Sequence, residues 1–369
     1  MTKNNTTTPP SGCLKKTLRI LGWTLLGLVG LVVVLIGAVL VTGLNFKEPA
    51  MAKVWAAGFK EKTFTTHGTT INYVEGPDNG LPLMLIHGQM VDWESYQLVL
   101  PELSQHFHVF AVDCEGHGKS SKDPSRYNVQ DMGMDFEVFI QQVIGKPAIV
   151  SGQSSGGLLA VWLAANSPQN VLGVVLEDPP LFSSEYPRIK QTFAWDTGTT
   201  AHDFLQQSSV KSYLDYYILY SRMWSYFPQG FQKALLNWDQ FYRSIRPDSP
   251  VQFFFVPLSV REIFTGLQMY DPHFGVAFYD GSWNKYFEHA EALPKVKCPA
   301  VLIHANWYYD KNGILVGAMD ANDANRANSL MPNSKLVTVN SGHDVHVENP
   351  SVFIKIVIDF GNQLQNIGN

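Results

Sequence analysis

A chain of 369 residues that is 45% hydrophobic and 16% charged can bury a large core, and its length allows one large domain or two. Its formal net charge of -5, with no basic face standing out, gives a nucleic acid nothing to bind. Three cysteines, Cys13, Cys114 and Cys298, are odd in number and far apart, and His343-x-x-His346 followed by Glu348 lacks the spacing of a zinc helix. Neither a disulfide framework, nor a metal, nor any other cofactor is expected.

Residues 1–17 are polar and rich in Thr, Asn and Pro, which reads as a disordered tail. From Leu18 to Leu44 the one charge is Arg19, and the rest is apolar apart from Gly and Thr. About 20 apolar residues already cross a bilayer core, so residues 18–44 are read as a transmembrane helix. A cleaved signal peptide would have a shorter apolar region and a clear small-x-small site. Lys15, Lys16 and Arg19 on the N-terminal side argue for an N-terminus in the cytoplasm, with everything after the helix outside it. Residues 45–60 read as a linker.

Beyond the linker, Lys62 to Thr66 and Thr69 to Glu75 flank His67-Gly68 with alternating, Thr-rich patterns, the signature of a hairpin. Leu83 to Ile86 is a continuous apolar run, as a buried parallel strand requires. Helical spacing over Trp93 to Ser104, a strand over His108 to Asp113, a helix over Met132 to Ile144 and a strand over Val171 to Leu176 follow. Strands alternating with helices imply an α/β fold, a mostly parallel sheet with helices on both faces. Between Leu181 and Val296 that alternation stops, and helical patterns carry 27 of the 46 aromatic residues. It resumes with strands at Ala300 to His304 and Lys335 to Val339. Residues 181–296 are therefore read as a helical cap inserted into a core made of 61–180 and 297–369, laid over the sheet edge where open α/β sheets bind ligands.

Ala148 to Val150, a short apolar run, meets Gly152-Gln153-Ser154-Ser155-Gly156, and helical spacing begins at once. Strand, sharp turn and helix put Ser154 at the apex of a strained turn, its hydroxyl exposed at the positive end of a helix. Glycines at 152 and 156 are needed where side chains would meet the neighbouring strand and helix.

With His87-Gly88-Gln89 after a strand, the turn Asp113-Cys114-Glu115-Gly116-His117-Gly118-Lys119-Ser120, the serine elbow, and Asn340-Ser341-Gly342-His343 followed by Glu348-Asn349-Pro350, the chain resembles the α/β-hydrolase superfamily, in particular its lid-bearing esterase- and lipase-like members. The resemblance runs from about Lys62 to the C-terminus and is weakest in the cap. It implies Ser154 as nucleophile and His343, last in a Ser, acid, His order, as base, with His346 the runner-up. A carboxylate must accept from the far nitrogen of that histidine. The family usually places it after the strand read at Ala300 to His304, where Asp310 is the nearest candidate and is the expected acid. Asp178, after the preceding strand, is where some members keep it. Asp320 and Asp323 read better as a helix cap and first-turn acid. Backbone N–H groups of Gln89 and Ser155 would form the oxyanion site.

The expected activity is cleavage of a carboxylic ester through an acyl-enzyme, with an apolar, lipid-like substrate argued from the aromatic cap. Acyl transfer, amide hydrolysis and carbon–carbon cleavage use the same triad, and a non-catalytic receptor on the same fold is the alternative from another class.

Overall fold

The computed structural model describes residues 11–368, and the chain forms two compact units that part between Lys47 and Glu48. The first contains one helix, Ser11–Leu44, whose apolar side chains from Leu18 to Ile36, Trp23 and Leu26 among them, are exposed. It is long and apolar enough to cross a membrane. The helix takes in Ser11 to Thr17, which the sequence reading left in a disordered tail; residues 1–10 of that tail lie outside the described residues. A second correction concerns the stretch read as linker. It holds the helix Pro49–Ala56, whose Val54 is buried in the main core beside Trp93 and Leu100.

The second unit is built on an eight-stranded sheet. Its strands are β1 (Lys60–Thr66), β2 (Thr69–Glu75), β3 (Leu81–Ile86), β4 (Phe107–Val112), β5 (Ala148–Gln153), β6 (Val171–Glu177), β7 (Ala300–His304) and, after a two-stranded ribbon of β8 (Tyr308–Tyr309) and β9 (Leu315–Val316), β10 (Ser334–Thr338). The order across the sheet is β1-β2-β4-β3-β5-β6-β7-β10, antiparallel at β1/β2 and β2/β4 and parallel elsewhere. His67 and Gly68 both take positive φ in the β1/β2 turn, as a two-residue hairpin demands.

Strands β3 and β5 are buried on both faces, which is why they read as unbroken apolar runs. On one face Leu83, Leu85, Ile149, Val175 and Ile303 pack against Val54, Trp93–Leu103 and the C-terminal helix through Phe353, Val357 and Phe360. On the other lies the helix Ser155–Asn166, in which every residue from Ser155 to Ala164 is buried. Only a helix sealed between the sheet and other elements can be apolar all round.

Between β6 and β7 the chain is helical, with Phe193–Leu205, Tyr213–Tyr220, Phe231–Ile245, Leu258–Leu267 and Pro272–Asp280 the longest pieces. Its aromatic rings pack mostly on one another: Trp195 stacks on Tyr279 at 4.6 Å, Phe253 meets Phe264 at 4.8 Å, and Phe278 stacks on Trp283 at 4.9 Å.

Candidate active site

Strand register brings the site together. Gln153 at the end of β5 pairs with Glu177 at the end of β6, so Ser154 and Asp178 leave the sheet side by side. The Ser154 N–H donates to Glu177 O, and the Asp178 N–H donates to Ile303 O on β7, each at 2.9 Å. Thr338 on β10 pairs with His304 on β7, so the chain returns along the same edge five residues before His343.

Ser154 takes φ 52° and ψ -121° ahead of the helix Ser155–Asn166, a conformation that costs of order 1–3 kcal/mol and is held by its surroundings. The two glycines are what permit it. A Cβ on Gly152 would lie 2.1 Å from Gly156 O, and one on Gly156 2.2 Å from Ile86 O, both backbone atoms that cannot yield.

His343 Nδ1–H donates to Asp178 Oδ2 at 2.7 Å, while Asp178 Oδ1 accepts the Ala305 N–H at 3.1 Å. Asp178 is buried, with φ 44°, a left-handed conformation that Asp tolerates better than most residues. Burial acts to lower the His343 pKa, but the hydrogen bond and charge of Asp178, with Asp344 and Glu177 nearby, outweigh it and raise the ring to about 9. Below that pH the ring is protonated and its charge is stabilised by these acidic neighbours.

Asp310, the expected acid, is elsewhere. It sits in the turn between β8 and β9, where its Oδ1 accepts the Asn312 and Ile314 N–H groups and its Oδ2 accepts from Arg222 Nη2 at 2.9 Å and Tyr226 O–H at 3.3 Å. The chain after β7 runs on into a ribbon that carries Asp310 away from His343, and the carboxylate that meets His343 is the one at the end of β6. Asp320 caps the helix Ala321–Leu330 as expected, accepting the Asn322 and Asp323 N–H groups.

His346 meets a different carboxylate. It is buried, its N–H and its Nδ1 both reach Glu177 Oε1 at 2.8 Å, and its ring lies 4.4 Å from that of Tyr96. Successive residues at a strand end face opposite ways, so Glu177 and Asp178 serve two histidines three residues apart. The sequence carries that doublet as Glu177-Asp178 and His343-x-x-His346, with no local sign of which carboxylate meets which histidine. Two further contacts join segments distant or unremarkable in the sequence. Gln153 Nε2 donates to Asp344 Oδ1 at 2.8 Å, tying the serine turn to the histidine loop, and the Gly342 N–H donates to Glu348 Oε2 at 3.2 Å from within that loop.

Gln89 and Ser155 flank the serine. A Cβ on Gly88 would stand 2.9 Å from the Ser154 Cβ, so the loop after β3 passes directly behind it. His87 fixes that loop. Its Nε2 accepts the Cys114 N–H at 2.9 Å, which leaves the ring proton on Nδ1 to donate to Gly88 O at 2.7 Å; burial lowers its pKa to about 4 and keeps it neutral. Cys114 is buried, its thiol pKa raised by burial, and it is inert packing.

Ser154, Gln89 and His343 open into one cavity of about 300 Å³, walled by apolar residues from the loop after β3, such as Met90, from the insertion, such as Phe193, Ile263 and Phe278, and from Val316 to Ala318. Two aromatic residues of the insertion reach it, so most of the aromatic richness belongs to the insertion's own core. No cluster of metal-binding side chains exists among the described residues. A serine at a strained turn and a histidine hydrogen-bonded to a carboxylate, both facing one cavity, are parts that acyl transfer needs.

The α/β-hydrolase fold family model matches residues 82–350. The chain belongs to that family. Among curated relatives, it is 33% identical to a putative non-heme haloperoxidase of Mycobacterium phage D29 over 30% of this chain and 40% of that one. It is 34% identical to a pimeloyl-[acyl-carrier protein] methyl ester esterase of Aliivibrio fischeri over 32% of this chain and 44% of the relative. These matches thus span less than half the length of either relative. Among solved structures, a bacterial membrane phospholipase A superposes with TM-score 0.59 at 22% identity, covering 94% of this chain and 99% of the other.

Proposed function

We propose that this α/β-hydrolase is a membrane-anchored serine hydrolase that cleaves a carboxylic ester with a sizeable apolar group. The 2.7 Å contact between His343 and Asp178, beside a strained Ser154 facing the same cavity, carries the reading. In the first step Ser154 Oγ attacks the ester carbonyl while His343 Nε2 takes its proton, and Asp178 holds the opposite tautomer and balances the imidazolium. The Gln89 and Ser155 N–H groups receive the negative charge that grows on the carbonyl oxygen. Collapse expels the alcohol, which takes the proton from His343 and leaves an acyl-serine. Water, activated by the same histidine, then releases the acid and restores the hydroxyl.

The apolar substrate is supported by the cavity walls, with the insertion acting as a cap above the serine. It agrees with the relatives named for ester cleavage, one a methyl ester esterase and one a membrane phospholipase. The anchor reading is supported by the run Ile20 to Leu44 of the helix, which is free of charges and long enough to span a bilayer. Lys15, Lys16 and Arg19 orient its N-terminus to the cytoplasm and the hydrolase unit outside.

A fluorophosphonate probe on the full chain in detergent tests the chemistry. Labelling lost on Ser154→Ala and on His343→Ala is expected; labelling that survives either change rejects the triad. p-Nitrophenyl esters of increasing length test the substrate class, and a peak at acetate with nothing beyond rejects the apolar one. Protease added to intact cells should digest the hydrolase unit, and protection there rejects the orientation.

A further inference from the structure

Where β7 would deliver an acid, this chain builds the ribbon of β8 and β9, with two rungs, Tyr308 against Val316 and Tyr309 against Leu315. Two rungs cannot hold a hairpin in water by themselves, so its place is set by what it touches. On the inner side Leu315 bridges to Thr192, and Val316, Gly317 and Ala318 line the cavity that contains Ser154. On the rung next to the turn the Tyr309 O–H donates to Asp320 Oδ2 at 2.6 Å, and Arg188 Nη2 reaches the same oxygen at 2.9 Å. At its tip Asp310 divides its two oxygens: Oδ1 closes the turn, and Oδ2 accepts from Arg222 and Tyr226, both from the turn Arg222–Tyr226 of the insertion. The Ile314 and Asn312 N–H groups, with the Arg222 charge, hold the Asp310 carboxyl below the usual carboxylate range, so the clasp is ionic at neutral pH. Tyr226 in turn packs edge-on to Phe193, a cavity residue, at 6.0 Å.

We propose that the cavity-lining segment Val316 to Ala318, carried at the end of the ribbon 308–316, is a substrate-selecting wall and that Asp310, Arg222 and Tyr226 form the clasp that sets its position. With the clasp closed, the cavity is at the small end of those that enclose organic ligands. With it released, the wall moves outward and esters with longer or bulkier acyl or alcohol groups gain access. Asp310 is then a specificity residue that touches no reacting atom. The inference rests on the ester-site reading of this cavity.

Arg222→Gln and Arg222→Gln/Tyr226→Phe break the clasp from the insertion side and leave the ribbon turn intact; Arg222→Lys keeps the charge. In the full chain in detergent, the ratio of kcat/KM for p-nitrophenyl decanoate over acetate should rise five-fold or more in Arg222→Gln. It should rise further in the double variant and stay near the parent value in Arg222→Lys. A ratio that stays level or falls in both clasp variants overturns the proposal. A fluorescent C18 polyene acid supplies a readout free of catalysis. It should bind Arg222→Gln several-fold more tightly than the parent, and an unchanged Kd overturns the wall. If the parent neither labels with fluorophosphonate nor turns over any ester, the hydrolase reading fails on its own, and the acid-binding comparison still decides the wall.

Discussion

Replacing Asp178 with Asn separates the two acids that the sequence offers. Asn tolerates the left-handed backbone at this position as Asp does, so the fold should survive. The Ala305 N–H will still need an acceptor at 3.1 Å, which fixes the new amide with its oxygen toward Ala305 and its NH₂ toward His343. An NH₂ facing Nδ1 forces the ring proton onto Nε2, the nitrogen that must take the Ser154 proton. The imidazolium loses its counter-charge in the same step. Loss of a triad carboxylate by this route lowers kcat about 10⁴-fold, roughly 5 kcal/mol in the barrier at 1.36 kcal/mol per decade. Steady-state hydrolysis of a p-nitrophenyl ester, scaled to folded protein by circular dichroism, measures it. Asp310→Asn, with its oxygens turned to Arg222 and a ribbon turn, should fall by less than ten-fold and keep its fluorophosphonate labelling. Asp178→Asn retaining a tenth of parental activity, or Asp310→Asn losing a thousand-fold, would refute the assignment.

The raised His343 pKa makes activity alkaline: the ring is a base only once deprotonated, so kcat/KM should climb with pH to a plateau above about 9. A plateau already reached at pH 7 contradicts the charge balance described around the ring. Stability runs the other way. A folded pKa raised from 6.5 contributes stability that is full below pH 6.5 and is lost as the pH passes through about 9, so the Tm difference between parent and His343→Ala should narrow across that window. His346→Ala removes the side-chain donor to buried Glu177 and leaves the backbone N–H, and should cost about 1–3 kcal/mol in urea denaturation, with labelling of the folded fraction retained; loss of labelling in folded protein would return His346 to the chemistry. Gly156→Ala drives a methyl into the Ile86 carbonyl and should yield no folded, labelled protein, so a soluble and active variant would show that the elbow has room.

Much of the sheet was legible because its signals are local. Leu83 to Ile86 and Ala300 to His304 are runs that burial on both faces demands, and Thr66-His67-Gly68-Thr69 carries its own turn. The turns that carry Ser154 and His343 were legible because their residues are constrained from both sides. The acid was not, for a reason in the register. A carboxylate can approach His343 from the end of β6 or the end of β7, which are adjacent strands paired at Glu177 and Ile303, and chain order Ser, acid, His is the same either way. Nothing local distinguishes the two until the chain after His304 is known to rise into a ribbon instead of turning back toward the histidine. Asp178 did carry a sign of its own. It stands directly after a strand buried from Gly173 to Glu177, followed by Pro179-Pro180, so its side chain has no solvent to turn to and must find a cationic or N–H partner nearby. Asp310 is followed by Lys311-Asn312-Gly313, a turn sequence that can satisfy a carboxylate from its own backbone. Weighing which acid could not be satisfied locally, rather than which lay nearest the family position, selects Asp178, and the same test explains why Glu177, one residue earlier, required a second histidine.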